Sequence, residues 1–410
     1  MVRPCHGDGR PDVRVPATLG SGPCRTVADS ESDAGYPIVR VLQALPALHS
    51  GGVERGTVEF ASDLVKGGHD SFVVSNGGPM VDALEANGST HITRPIHRKS
   101  LASFAQVLPM RRLLRALQPD IVHVRSRMPA WIVWLAWRGL PEHEKPALVS
   151  SFHGMYSVNS YSAIMAKAEH VIAVSECVRD YVARNFQVPP EKMTVIQRGV
   201  DVDSFRARSL EDSWVSSFFA KFPELTGKRL IMMPGRISRW KGQMLFLDMM
   251  ARLAPERPDF HGIIVGGVEP GKDRFMNELI AKRKQLRIEH KVSFLGQRND
   301  ISELYRLSSL VCHMSTKPEP FGRTVTEALA SGTPVAAFDR GGAAETLRAC
   351  FPEGLVTPDD TEAFAATVLS LLDNPAPTIN IPWRFRLEAQ TETTLGVYQQ
   401  LLSRRHHQHE

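Results

Sequence analysis

The segment Leu310-Val311-Cys312-His313-Met314, the loop Lys317-Pro318-Glu319-Pro320-Phe321-Gly322-Arg323 and the following Thr326-Glu327-Ala328-Leu329-Ala330 decide how this chain folds. The first five residues form a short apolar strand-like run. The last five are helix formers, and Gly332 and Pro334 end that helix. A strand, a tight loop and a helix N-terminus therefore follow in order, and the free N–H groups of a helix start make an anion site. Glu319 falls in the loop and Glu327 about one turn into the helix, with seven residues between them. Carboxylates on both sides of an anion site match a ligand with a phosphate centre and hydroxyl groups at both ends. A nucleotide-sugar has that layout, with ribose on one side of a diphosphate and a sugar on the other.

Working outward, the same alternation fills the chain. In the first half, residues 38–42, 71–74, 120–124, 147–152, 170–174 and 192–196 read as strands. Helices are expected over 56–66, 101–117, 129–137 and 161–169, with a further one capped by Ser175 and ending near Phe186. In the second half, a helix over 209–222 precedes strands at 229–234, 262–267, 292–296, 310–314 and 334–338. Helices are expected at 243–253, 272–285, 301–307 (with Asp300 as N-cap) and 361–372, and loops at 235–242 and 339–345. Strands alternating with helices imply an α/β protein with parallel sheets covered on both faces. Ligands in such sheets lie beyond the carboxyl ends of the strands.

At 410 residues the chain is too long for one ordinary core, and two domains are expected, over 36–205 and 206–382, with a terminal segment over 383–410. The composition, 42% hydrophobic and 23% charged, is that of a soluble globular protein. A net charge of +5 suits an anionic ligand or an anionic membrane surface, or serves solubility alone. Five scattered cysteines, with no C-x-x-C pair and no zinc spacing, point to a reducing compartment and to no structural metal. Residues 1–35 lack the apolar region of a signal peptide and read as a disordered or upstream extension outside the fold. No apolar run approaches the roughly 18 residues of a spanning helix. Trp131, Trp134 and Trp137 share one helix face, which favours core packing over an interfacial membrane contact. The polar tail 404–410 reads as frayed.

Several residues fall at strand ends. Gly51-Gly52 lies between the first strand and first helix, where glycine lets the backbone approach a ligand. His153 follows one strand and precedes Gly154, so its ring is placed toward the crevice, either bonded to a neighbouring loop or touching a sugar. His123, inside its strand, has the weaker case. Arg236 and Lys241, flanked by Gly235 and Gly242, offer a planar fork and a mobile point charge that suit a diphosphate, or else are surface cations beside a turn. Arg239 is expected in solvent.

Taken in order, Gly51-Gly52-Val53-Glu54-Arg55, Phe152-His153-Gly154, Arg198-Gly199-Val200-Asp201, Gly235-Arg236 with Lys241-Gly242, and Glu319-x7-Glu327 resemble the family 4 retaining glycosyltransferases of the GT-B fold. The resemblance covers about residues 38–400. The run Val124-Arg125-Ser126-Arg127-Met128-Pro129-Ala130-Trp131 resembles bacterial members associated with lipopolysaccharide core assembly. The resemblance implies two Rossmann-like domains facing across a cleft, the donor nucleotide held by the second and the acceptor by the first. The last helix, within 383–402, would cross back to the first domain. Arg236 and Lys241 would neutralise the diphosphate, helped by backbone N–H groups near Phe321, Gly322, Arg323 and Thr324, with Gly51 and Gly52 closing over it. Glu327 would accept from ribose hydroxyls, Glu319 from sugar hydroxyls, His153 would contact the sugar near the reacting carbon, and Arg298 would lie near the base. No metal or other cofactor is implied. The implied partners are a nucleotide-diphosphate sugar and a glycan or glycolipid acceptor, with a peripheral contact to an anionic membrane and no nucleic acid. The implied place is the cytoplasm, at the inner face of the cytoplasmic membrane.

Other readings make different demands. A nucleotide-dependent oxidoreductase needs the G-x-G-x-x-G fingerprint and an acidic residue about 20 positions on, which this sequence lacks. A glycosidase pair of carboxylates has no use for Arg236 and Lys241. A phosphorylase-like GT-B enzyme would depend on phosphate. A non-catalytic carbohydrate-binding protein of the same fold would not need leaving-group cations.

Overall fold

The computed structural model describes residues 37–49, 51–206, 209–269, 271, 273–374 and 378–407; the N-terminal extension of residues 1–35 lies outside them. The first half contains β1 (Arg40–Ala44), α1 (Gly52–Lys66), β2 (Asp70–Ser75), α2 (Val81–Ala86), β3 (Thr90–Thr93), α3 (Val107–Leu117), β4 (Ile121–Val124), α4 (Arg127–Arg138), β5 (Ala147–Phe152), β6 (His170–Ala173), α5 (Glu176–Phe186) and β7 (Met193–Val195). The second half contains α6 (Val202–Arg206), α7 (Asp212–Lys221), β8 (Arg229–Pro234), α8 (Gln243–Leu253), β9 (Phe260–Val265), α9 (Asp273–Gln285), β10 (Val292–Gly296), α10 (Ile301–Leu307), β11 (Leu310–His313), α11 (Arg323–Ala330), β12 (Val335–Phe338), α12 (Gly341–Cys350), β13 (Leu355–Val356), α13 (Thr361–Asp373) and α14 (Leu387–His406).

Two parallel sheets result. The first has order β3-β2-β1-β4-β5-β6-β7 and the second β10-β9-β8-β11-β12-β13. Strands β4, β5, β6, β11 and β12 are buried at every position, as expected of strands covered by helices on both faces. Each sheet reverses its winding once, between β1 and β4 and between β8 and β11. A crevice opens at such a reversal, beyond the carboxyl ends of the strands. The connections after β1, β4, β8 and β11 lead into helices that begin at Gly52, Arg127, Gln243 and Arg323, so the topology gathers Gly51-Gly52, Arg236, Lys241 and Glu319 at the reversals.

α14 returns to the first half. Val397, Tyr398 and Leu401 enter a cluster with Val41, Phe60, Ile121 and Val149. The buried Tyr398 hydroxyl lies 2.7 Å from His123 Nδ1, and His123 Nε2 lies 2.7 Å from Ser151 Oγ. His123 therefore ties the crossing helix to the sheet. The chain reaches α14 past the loop after β7, where Val200 N–H donates to the Phe385 carbonyl and Leu387 N–H to the Val200 carbonyl.

Several expectations need correction. The helix expected over 101–117 is a 3-10 turn, Leu101–Gln106, followed by α3, and only a 3-10 turn, Ser162–Lys167, stands where a helix over 161–169 was expected. Asp300 makes no side-chain cap on α10; its carboxylate is taken by Arg298 and the Trp214 indole. The loop expected over 339–345 holds the start of α12, where Gly341 adopts φ +66°. A Cβ on Gly341 would collide with the Glu319 backbone, and one on Gly342 with that of Phe321. The glycine pair thus lets α12 support the Glu319 loop, with Gly342 N–H donating to the Glu319 carbonyl at 2.8 Å. The tail is helical through Arg405, whose Nε donates to Glu169 at 3.0 Å. Trp131 and Trp137 donate to the carbonyls of Tyr161 and Pro146, in keeping with packing.

Truncating the ring of Tyr398 (Tyr398→Ala) should cost about 3–5 kcal/mol of folding stability. Tyr398→Phe, which leaves a buried His123 nitrogen unmatched, should cost about 1–3 kcal/mol. Urea unfolding of the two variants against the parent checks both.

Candidate active site

Glu319 is the centre of the second-half crevice. It is buried, and its Oε1 receives three donors: Lys241 Nζ at 2.6 Å, His313 Nε2 at 2.9 Å, and the Ser315 hydroxyl. Burial alone would raise its carboxyl, but His313 and Lys241 outweigh that and hold it well below the usual carboxylate range. Among the described residues no protein hydrogen bond is directed to Oε2, which leaves one carboxylate oxygen for a ligand hydroxyl. Lys241 reaches Glu319 because Gly242, at φ +89°, turns the chain into α8. The cation expected on the diphosphate and the carboxylate expected on the sugar are thus already joined. Arg236 stands apart from them, half exposed and paired with Glu269.

Glu327 lies on the buried face of α11. Arg323 Nε donates to its Oε1 at 2.8 Å, the Tyr305 hydroxyl to its Oε2 at 3.2 Å, and Arg55 Nη1 of the first half stands 3.5 Å away. Arg323 also donates to Glu59 of α1 at 2.6 Å, so one guanidinium bridges carboxylates of both halves. The N–H groups of Arg323 and Thr324 open α11, where the first turn lacks intrahelical partners, and Gly322 at φ +82° is its N-cap. Phe321 is buried below them.

The two halves also meet beside this loop. The Ser175 hydroxyl donates to the Pro320 carbonyl, while the Glu176 and Cys177 N–H groups donate to the carboxylate of Glu345 at 2.9 and 2.7 Å. A carboxylate from α12 thus occupies the positive end of α5. Ser175 keeps its expected capping role, accepting from Val178 N–H.

Gly51 and Gly52 open α1. Among the described residues, a Cβ at Gly52 would meet nothing within 4 Å, which leaves space there for a ligand. The 153–154 loop faces the second half, since a Cβ at Gly154 would stand 3.6 Å from Pro320. The His153 ring itself turns inward: Nδ1 lies 2.9 Å from Arg198 Nη2, and Nε2 is buried without a partner among the described residues. Arg298 is not an open cation; it pairs with Asp300 at 2.8 Å and packs against Phe218 and Phe222. Sequence reasoning missed Glu59, Arg198, Tyr305, His313, Ser315 and Glu345 as members of the site. Arg198 stood in the motif Arg198-Gly199-Val200-Asp201 without a role, and His313 and Ser315 adjoin the strand end before Glu319; the other three carried no local signal.

Burial holds His123 and His153 well below the ordinary imidazole range, with nearby arginines adding to the effect, and burial presses His261 down to about 4. Each binds its proton more readily in the unfolded chain. Their contribution is therefore full above the unfolded value of about 6.5 and is lost as pH falls below it. Unfolding midpoints should drop between pH 7.5 and 5, and His123→Gln with His261→Gln should flatten that slope.

Residues 50–204 match the family model described as Glycosyltransferase Family 4, and residues 216–389 match the one described as Glycosyl transferases group 1. The chain belongs to the family 4 glycosyltransferases, and its fold is GT-B. It is 29% identical over 217 residues to the lipopolysaccharide core biosynthesis mannosyltransferase LpcC of Rhizobium leguminosarum bv. viciae, a match spanning 51% of this chain and 60% of that relative. It is 25% identical over 391 residues to the D-inositol 3-phosphate glycosyltransferase of Mycobacterium sp. (strain JLS), covering 90% of this chain and 85% of the relative. Among solved structures, a glycosyltransferase from Rickettsia africae ESF-5 superposes with a TM-score of 0.76 at 28% identity, over 90% of this chain and 99% of that one. Anabaena Alr3699/HepE in complex with UDP has the same fold, with a TM-score of 0.74 at 22% identity, over 88% of this chain and all of that one.

Proposed function

We propose that this glycosyltransferase moves a sugar, with retention of anomeric configuration, from a nucleotide-diphosphate sugar to a glycan or glycolipid acceptor in lipopolysaccharide or other cell-surface polysaccharide synthesis. The observation that carries the reading is the placement of Lys241 against Glu319 at the reversal between β8 and β11. A cation and a hydroxyl acceptor adjoin there, as a diphosphate joined to a sugar requires. The names of relatives such as LpcC support the cell-surface role, and structural neighbours that hold UDP or UDP-glucose support the donor class.

As the bond from the anomeric carbon to the diphosphate breaks, the electron pair stays on the leaving oxygen. Lys241 Nζ and the Arg236 guanidinium, drawn from Glu269, stabilise that charge together with the N–H groups opening α11. Each such preorganised donor contributes about 3–4 kcal/mol. Glu319 orients the sugar through Oε2, and Glu327 takes the ribose hydroxyls. The acceptor hydroxyl approaches from the first half, past Gly52 and His153; its oxygen bonds to the anomeric carbon and its proton is released to the departing diphosphate. Leu101 and Leu108, 88% and 59% exposed beside Lys99 and Arg112, favour a peripheral contact with an anionic membrane at the cytoplasmic face.

A panel of nucleotide-sugars should contain one that raises the melting temperature and, with an acceptor glycan, releases nucleoside diphosphate. Lys241→Ala and Glu319→Ala should each slow that release by at least about 100-fold. Near-normal release by either variant removes this site assignment, and an inverted anomeric coupling in the product spectrum removes retention.

A further inference from the structure

Arg198, in the loop after β7, makes two bonds from one guanidinium. Nη1 donates to the Gly52 carbonyl at 2.7 Å, and Nη2 lies 2.9 Å from His153 Nδ1. A guanidinium carries five N–H donors and nothing that accepts. Nδ1 is therefore the accepting nitrogen of the His153 ring, and the ring proton belongs on Nε2. That Nε2 is buried with no partner among the described residues, and His153 lines a cavity of about 30 Å³ with His123, Arg125, Ser151, Gln390 and Thr394. Burial opposes a second proton on the ring, and the positive charges of Arg198 and Arg125 add to it. Arg198 itself is pressed down to about 9 by burial and by Arg125 and Arg323, and is still a cation at neutral pH. The position of the fork depends on Gly56 of α1, where a Cβ would press on Arg198 Nη1.

We propose that Arg198 is a positioning residue that locks His153 in the Nε2–H tautomer and fastens it to the backbone of the Gly51-Gly52 turn. His153 then presents a donor into a cavity with room for about one water, and an acceptor oxygen of that size meets it. Any link from that oxygen to a sugar rests on the donor-sugar reading above; the tautomer does not. Arg198 also couples two pieces of the first-half wall, since displacing the guanidinium frees both the imidazole and the glycine turn.

The test uses full-length protein labelled with ¹⁵N in its histidine rings, with His153→Gln assigning the signal. Two-bond proton–nitrogen correlation at pH 7.5 should show His153 Nδ1 unprotonated and Nε2 protonated. Arg198→Leu should give a mixture of tautomers and lower kcat/KM by about tenfold, the scale of one hydrogen bond. Arg198→Lys, which retains a donor, should restore the single tautomer. Gly56→Ala reaches the same end without removing the charge, since its methyl displaces the fork, and should reproduce the mixture even where Arg198→Leu folds poorly. A His153 ring protonated at Nδ1 in the parent protein, or a tautomer unchanged in both Arg198→Leu and Gly56→Ala, overturns the proposal. A tautomer shift with undiminished transfer upholds the hold of Arg198 on the ring and removes His153 from the transfer step instead.

Discussion

The ion pair of Lys241 with Glu319 constrains the rest of the second half. Taking an ion out of water costs several kcal/mol unless its partners repay it. Glu319 is buried and Lys241 nearly so, and three donors converge on one carboxylate oxygen. Two loops must therefore be held in fixed register, one after β8 and one after β11. Gly242 turns the first into α8, and Gly341-Gly342 lets α12 close beneath the second. The sheet supplies the rest of the constraint, because β8 and β11 are neighbours whose crossovers leave in opposite directions. The pair is thus less a source of stability than a fixed arrangement of charge at the strand ends.

The first half is brought to that arrangement by charges and by one helix. Arg323 reaches Glu59 and Glu327 together, Glu345 receives the first N–H groups of α5, and α14 carries the end of the chain back into the first core. None of the bridging charges is deeply isolated, since each guanidinium has two acceptors or remains partly wet. Polar contacts of this kind can exchange partners when a ligand enters, whereas the apolar seat of Val397, Tyr398 and Leu401 cannot. The crossing helix therefore sets how far the halves can separate, and the ion pairs set how they close.

Much of this was legible in the sequence. The alternation of short apolar runs with helical periods is local, and it gave the parallel sheets and the strand ends where Gly51, Arg236, Lys241 and Glu319 lie. Local signals also misled: Gly341-Gly342 reads as a loop because glycine lowers helix propensity, yet close approach to the Glu319 backbone requires it. What stayed hidden was nonlocal. Arg198 finds its partners 146 and 45 residues away, and Tyr398 finds His123 across 275 residues. No spacing rule reaches that far. Arg298 illustrates the converse, a cation placed at a strand end that its neighbour Asp300 engages first.

The central claim is that the loops after β8 and β11 form a diphosphate site. It is tested most directly by calorimetric titration of the protein with nucleoside diphosphates and the matching monophosphates, repeated on Lys241→Met. The account predicts that for one base the diphosphate binds at least about tenfold tighter, a difference near 1.4 kcal/mol, and that the substitution erases most of that preference. Equal affinity for the two nucleotides, or a preference that survives in Lys241→Met, would contradict it.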